Sequence, residues 1–255
     1  MKNITNIKQI SNNKYSLIIE GKKHIVYDDV LLEYNLLKKG EISEDVYEQI
    51  VKSNNYHEAY NKMLKYITAK LRTEKEIDTK LIKLGVGKID RQKIVERLKK
   101  ERYLDPEIYV KSYINDSKLL SLNGPKKIEY ELKKLGFDAN LIQKYINAVE
   151  DDVWFEKVNK VIQKKSRGNK LSQKMFLLKV TKDLINLGYD ENYFSDILST
   201  IYIDDKEQMK KDYEKVLLKL AKKYEGTKLK IMVKQKMFQL GYDSDKISSL
   251  FSDAD

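Results

Sequence analysis

Four stretches of this 255-residue chain repeat one pattern: IDTKLIKLGV from Ile77, IEYELKKLGF from Ile128, VTKDLINLGY from Val180 and VKQKMFQLGY from Val233. Each reads Ile or Val, three residues, Leu or Met, two residues, Leu-Gly, and then an apolar residue. The glycines, Gly85, Gly136, Gly188 and Gly241, are 51, 52 and 53 residues apart. Self-similarity at a fixed period of this length marks an array of structural repeats.

Within each copy the spacing specifies a helix and its end. Ile128, Leu132 and Leu135 fall on one helical face, and the following glycine stands where a helix C-terminus takes a left-handed residue. Asp138, Asp190 and Asp243, two residues past their glycines, are placed to cap the next helix. That helix has its own apolar stripe: Leu141, Ile142, Tyr145 and Ile146 in one copy, Tyr193, Phe194, Ile197 and Leu198 in another. The first copy departs, with Gly87 in the aspartate's place and a stripe of Ile94, Val95 and Leu98. A further helix precedes each motif, carried by Tyr60, Met63, Leu64, Ile67 and Leu71 in the first copy. Val153, Trp154, Val158, Val161 and Ile162 form it in the third, and Tyr213, Val216, Leu217, Leu220 and Tyr224 in the fourth. Thr73-Glu74-Lys75-Glu76 reads as a capping box, and Pro106 and Pro125 sit where prolines open helices.

The pattern predicts a mainly α fold: about four tandem three-helix repeats in an elongated curved array, behind a small N-terminal β-meander. One unit cannot cover its apolar faces alone, so neighbours must stack. The expected segments are 1–54 (meander and linking helix), 55–102, 103–151, 152–203 and 204–255. In the first, ITNIKQI, KYSLIIE and HIVYD read as three strands separated by Asn12-Asn13 and Gly21-Lys22-Lys23. SEDVYEQIVKS, from Ser43, reads as a short linking helix ending at Ser53.

Charge bears on partners. The formal net charge is +11. Residues 1–54 balance to zero, whereas residues 55–102 hold 14 Lys+Arg against 7 acids, for +7; the later segments carry −1, +3 and +2. Such an excess points to an anionic partner, nucleic acid or an acidic protein surface; solvated lysine-rich helix faces are the plainer alternative. With no cysteine, disulfides and thiolate metal sites are excluded, which fits a reducing cytoplasm. The opening MKNITNIKQI lacks a signal-peptide core, and no apolar run reaches the length of a membrane span. A soluble cytoplasmic monomer without membrane association is expected.

Nothing in the chain reads as catalytic. His24 and His57 stand in no metal-ligand spacing, and no P-loop, nucleophile elbow or dinucleotide fingerprint is present. Asp28-Asp29, Asp151-Asp152 and Asp204-Asp205 fall at element boundaries, where capping explains them better than acid–base work. The chain's 18 tyrosines fall mostly in helical stripes, as core residues do. No catalytic residue, metal ligand or cofactor is assigned.

Basic clusters are the candidate site. Arg72, Lys75, Lys80 and Lys83 lie on the first unit's middle helix, with Arg91 and Arg97 on the next. Lys126 and Lys127 open the second unit's middle helix, and Lys164, Lys165, Arg167 and Lys170 surround a loop in the third. Any one cluster could be a solvated face, but recurrence along a stacked array suggests a binding stripe.

Two stretches resemble a known family. LRTEKEIDTKL, Leu71 to Leu81, is similar to the R-S-E-K-E-L-x-x-K-L signature of RecX proteins. YLDPEIYVKSYI from Tyr103, with GPKKIEYELKKLGF from Gly124, resembles that family's second-unit signature. Departures are Pro106 for a second Asp, Val110 for Ala and Leu135 for a frequent Lys. The family's frequent arginine has no counterpart near Asp116, Ser117 and Lys118. Tyr103, Leu104, Asp105 and Gly124 are expected to serve as core, cap and turn. The resemblance implies a regulatory protein that binds the RecA–single-stranded-DNA filament groove and modulates recombinase, ATPase and co-protease activity. An autonomous basic DNA-binding protein is the alternative.

Overall fold

In the computed structural model, which describes residues 1–38 and 40–252, the four repeat glycines have φ of +76°, +93°, +84° and +86°. After each, the next residue's N–H reaches back to a carbonyl on the buried stripe. The bonds are Val86 to Leu81, Phe137 to Leu132, Tyr189 to Leu184 and Tyr242 to Met237, at 3.1–3.3 Å. This closure satisfies otherwise orphaned helix carbonyls and requires a left-handed residue at the turn. The acceptors Leu81, Leu132, Leu184 and Met237 are fully buried, as are Ile77, Ile128, Val180 and Val233 one turn earlier. The periodicity therefore identifies both the core face and the stop of each middle helix.

The described chain divides into two compact units, Met1–Tyr109 and Val110–Asp255; residues 253–255, assigned by sequence to the fourth repeat, lie outside the described residues. The first unit opens with β1 (Lys2–Ser11), β2 (Lys14–Ile19) and β3 (Lys22–Tyr27), then helix α1 (Asp28–Glu33) and strand β4 (Gly40–Ile42). The antiparallel sheet has order β3-β2-β1-β4. The expected meander is there, with a fourth strand added. That strand, Gly-Glu-Ile, pairs only with Lys2–Ile4 of β1 and is too short to show an alternating pattern. Between β2 and β3, Glu20 and Gly21 both have positive φ, the requirement of a tight hairpin turn whose twist suits the strands. Ile4, Leu17, Ile19 and Val26 pack with Val30, Leu31, Leu36 and Ile50 into a core under the sheet.

The linking helix does not end at Ser53. It forms one 26-residue helix, α2 (Glu44–Ala69), capped by Ser43, whose Oγ accepts from the Val46 N–H at 3.2 Å. Ser, Asn and Asn in succession suggest a break because their side chains compete for local backbone. Here the first two of these side chains are engaged elsewhere. Asn54 accepts from Tyr27 N–H at 3.0 Å and donates to Ile25 carbonyl at 2.9 Å, while Ser53 Oγ donates to Glu33 at 2.6 Å. Asn54 thereby pairs part of the exposed β3 edge. The second half of α2 packs with α3 (Glu74–Lys83) and α4 (Lys88–Lys100) through Tyr60, Met63, Ile67, Ile77, Leu81, Ile94 and Leu98. The Thr73–Glu76 capping box forms reciprocally. Leu71, read as part of the stripe, follows the helix and is exposed.

The boundary between units falls within α5 (Pro106–Leu120), whose first turn is capped by Asp105. Leu104 is buried as expected of core, but Tyr103 is exposed: it follows Arg102, whose φ of +63° turns the chain after α4. The second unit continues with α6 (Pro125–Lys134), α7 (Ala139–Ile146), α8 (Asp151–Ser166) and α9 (Gln173–Asn186). A 3₁₀ turn at Glu191–Tyr193 precedes α10 (Ser195–Thr200), α11 (Lys206–Leu220), α12 (Gly226–Gln239) and α13 (Ser244–Ser252). Asp138 caps α7 by accepting from Asn140 and Leu141 N–H groups. Asp190 does not cap by its side chain; a 3₁₀ turn follows it, and it pairs with Lys126 instead.

Candidate partner interface

In the second unit, successive repeats are joined at the Leu-Gly turns. The Leu187 carbonyl accepts from Gly124 N–H at 2.7 Å, and the Gly188 carbonyl accepts from Lys126 N–H at 3.1 Å. The C-terminus of α9 thus supplies acceptors to the orphan donors at the start of α6. Tyr189 closes the joint by donating its hydroxyl to the Leu122 carbonyl at 3.0 Å. A Cβ on Gly124 would stand 2.7 Å from the Gly188 oxygen, and one on Gly188 would lie 2.3 Å from Lys127 N. Gly124, expected as a turn residue, is instead the extended N-cap of α6 and a point of close approach. The next joint repeats the plan: the Ser172 hydroxyl, which caps α9, donates to the Leu240 carbonyl at 2.6 Å. There a Cβ on Gly241 would meet Ser172 Oγ at 2.6 Å. Three middle helices, α12, α9 and α6, follow one another end to end.

The predicted basic residues divide into two kinds. Arg72 lies 3.9 Å over the Tyr66 ring and 3.2 Å from Glu76, with its Nε buried. Burial acts to raise the Glu76 carboxyl's pKa, but hydrogen bonds from Thr73 and Arg72 outweigh it and hold the group below its ordinary value. Arg91 ties α4 to α3 through Asp78 at 2.8 Å and the Val86 carbonyl at 3.2 Å. Arg97 stacks 3.8 Å over Tyr60 and meets Glu101 at 2.8 Å, while the Tyr60 hydroxyl donates to the same carboxylate. Lys165 pairs with Asp183 at 2.5 Å and Lys126 with Asp190. Lys127, half-buried, packs its backbone and Cβ against Gly188.

The other candidates point outward. Lys75, Lys83, Lys164, Arg167 and Lys170 are exposed, and no ion pair holds them among the described residues. Lys80 is exposed with its ammonium 5.6 Å from the Tyr66 ring. The twelve residues therefore divide evenly: six hold helices together or pack in a joint, and six are available to an anion.

Among the described residues no group of His, Asp and Glu could hold a metal. His57 is buried with Nδ1 2.9 Å from Asp29 Oδ2. Two shallow clefts of about 310 and 300 Å³ adjoin α2 and share Lys52, Tyr56 and Asp90; lysines and carboxylates are mixed along both. Among the described residues no helix is long and apolar enough to cross a membrane.

Two features escaped the sequence reading. Lys157 is buried on α8, its ammonium donating to the Ser117 carbonyl at 2.7 Å and lying 5.2 Å from the Trp154 ring. Burial, followed by repulsion from Lys160 and Lys118, pushes its pKa down to about 8. Its place among Trp154, Val158 and Val161 was the available signal. The second is an exposed apolar set, Leu178, Ile185, Ile231 and Phe238, on helix positions away from the buried stripe.

Known proteins share this architecture. Residues 59–98 match the family model described as the first three-helix domain of RecX. The chain is 30% identical to the regulatory protein RecX of Staphylococcus haemolyticus, over 98% of this chain and 96% of the relative. It is 30% identical to that of Streptococcus uberis, over 97% and 98%. A crystal structure of a regulatory protein RecX shares the fold with a TM-score of 0.66 at 24% identity, covering 76% of this chain and 98% of that one. RecX from Lactobacillus salivarius aligns with a TM-score of 0.53 at 25% identity, over 58% and 96%. Full-length similarity, the matched three-helix domain and the shared fold agree that the chain belongs to the RecX family of regulatory proteins.

Proposed function

We propose that this regulatory chain binds the RecA–single-stranded-DNA filament along its groove and restrains strand exchange, ATP hydrolysis and co-protease activity. It would act as a cytoplasmic monomer, without catalysis or cofactor. Family membership supports the regulatory role. The observation that carries the filament reading is the repeated joint. The Leu-Gly end of one middle helix seats on the start of the preceding one at Gly188 and again at Gly241. Equivalent side chains therefore recur once per repeat, which suits a partner made of identical protomers. Lys75, Lys80, Lys83, Lys164, Arg167 and Lys170 add outward positive charge and would steer the chain towards the polyanionic filament. Strand-exchange and co-protease assays with purified RecA test the reading. Both activities should fall as the protein is added, and unchanged rates at saturating protein contradict it.

The exposed cations at the end of α8 and in the loop after it, Lys164, Arg167 and Lys170, favour a second reading, binding to single-stranded DNA without the recombinase. That mode predicts affinity falling steeply with salt, because each phosphate contact releases a counterion.

A further inference from the structure

We propose that the outward faces of α9 and α12 form a docking surface for a protein, one whose surface sets apolar side chains among carboxylates. Phe176, Val180 and Leu184 bury one side of α9, and Val233 and Met237 bury one side of α12. Leu178 and Ile185, seven residues apart on α9, are 57% and 50% exposed; Ile231 and Phe238, seven apart on α12, are 51% and 60% exposed. Seven residues is close to two helical turns, so each pair lies on one face. The two pairs occupy the same places in their repeats, each 53 residues from its counterpart. In the second repeat the same places hold Lys126 and Lys133, both in ion pairs. The apolar ridge thus belongs to the third and fourth repeats.

The two faces are continuous across the joint. Gly241 seats against Ser172 and Met175, and the Lys174 ammonium lies 5.7 Å from the Phe238 ring. The ridge carries charge of one sign. Helix α12 has four lysines and no acid; α9 has three lysines and one acid, Asp183, already paired with Lys165. Phosphates would satisfy the lysines and leave the aliphatic side chains in water. Surfaces that grip single strands offer aromatic platforms to the bases, whereas three of these four residues are aliphatic. Aliphatic side chains gain only by meeting other apolar surface, and the lysines around them then require carboxylates. A protein surface supplies both. Resting on the filament reading above, the inference assigns this ridge to the filament's protein coat and leaves DNA to the outward cations of other segments.

The test uses the full chain with Leu178→Ser, Ile185→Ser and Phe238→Ser combined, positions whose exposure should leave the thermal melt unchanged. Binding is measured to single-stranded DNA alone and to the same DNA coated with RecA and a non-hydrolysable nucleotide. The variant should bind the coated filament about tenfold or more weakly, as loss of apolar anchors does at protein interfaces, with bare-DNA binding unchanged. Lys174→Glu with Lys234→Glu should weaken coated-filament binding likewise. Equal binding of the serine variant and the wild type to the coated filament overturns the ridge and spares the filament reading. A wild type that does not prefer the coated filament overturns both. Wild-type self-association that the serine substitutions abolish would make the ridge a contact between copies and overturn the inference.

Discussion

The first repeat and the third are built from the same sequence pattern yet are held by different chemistry. In the first, three arginines act as fasteners: Arg72 on Tyr66 and Glu76, Arg91 on Asp78 and Val86, Arg97 on Tyr60 and Glu101. The third has an ion pair of this kind, Lys165–Asp183 between α8 and α9, and is fastened to its neighbours backbone to backbone at Gly188 and side chain to backbone at Ser172. The planar, delocalised guanidinium stacks on rings and grips carboxylates, while a lysine stays solvated unless something captures it. Three of the four arginines in residues 55–102 are therefore structural, and the outward charge of that segment is carried by lysines such as Lys75, Lys80 and Lys83.

The sharpest way to break this comparison is at the glycines. Gly188→Ala combines a left-handed residue with a Cβ that collides with Lys127 backbone. Its cost should be about 3 kcal/mol or more, from left-handed strain and overpacking together. Gly136→Ala has equal need of positive φ but open space for its Cβ, so it should lose only about 1–2 kcal/mol. Urea melts followed by Trp154, the single tryptophan and buried in this unit, measure both. Equal losses would show that the joint contributes nothing.

Alkaline pH should produce the next largest effect. Burial raises the Tyr189 and Tyr242 hydroxyls, Asp212 adding to the second, and burial with Asp151 pushes Tyr193 up to about 12. Folded values above the ordinary 10 mean that this stability is complete below pH 10 and is lost as pH rises beyond it. Lys157 works in the opposite direction. Its folded pKa of about 8 lies below the usual 10.5, so its contribution to stability rises between those values. Lys157→Met should therefore flatten the stability-against-pH curve between pH 8 and 10 while leaving the fall above pH 10 in place. An unchanged slope in that window contradicts the burial of this ammonium.

Smaller effects separate the two kinds of cation. Arg97→Ala removes a stacked, paired group and should cost about 1–2 kcal/mol by circular-dichroism melting. Lys75→Glu with Lys83→Glu should shift stability by less than about 0.5 kcal/mol and weaken filament binding instead. The opposite ranking would mean that the arginines are free to bind and the lysines support the fold.

Much of this architecture was legible because the repeat states it four times over. The Ile/Val, Leu/Met and glycine positions identify buried face and stop signal in every copy, and their conformations agree. What the sequence concealed depended on distant partners. Nothing local says that Asn54 will pair a strand edge and let α2 continue, or that three residues at Gly40–Ile42 will find β1. Asp190 has the cap's place but spends its charge on Lys126. For the candidate interface, sequence located the cations but not their occupancy, because whether an arginine is free depends on which ring and carboxylate fold beside it. The apolar ridge is hidden in sequence because Leu178 and Ile185 fall between the repeat's stripe positions, where nothing local distinguishes an exposed apolar side chain from a packed one.

The most direct test of the central claim compares binding of the wild-type chain to single-stranded DNA, bare and coated with RecA plus a non-hydrolysable nucleotide, at matched near-physiological salt. Filament recognition predicts much tighter binding to the coated form, with modest salt dependence because protein contacts carry the specificity. Equal or weaker binding to the coated form would contradict it and make DNA itself the target.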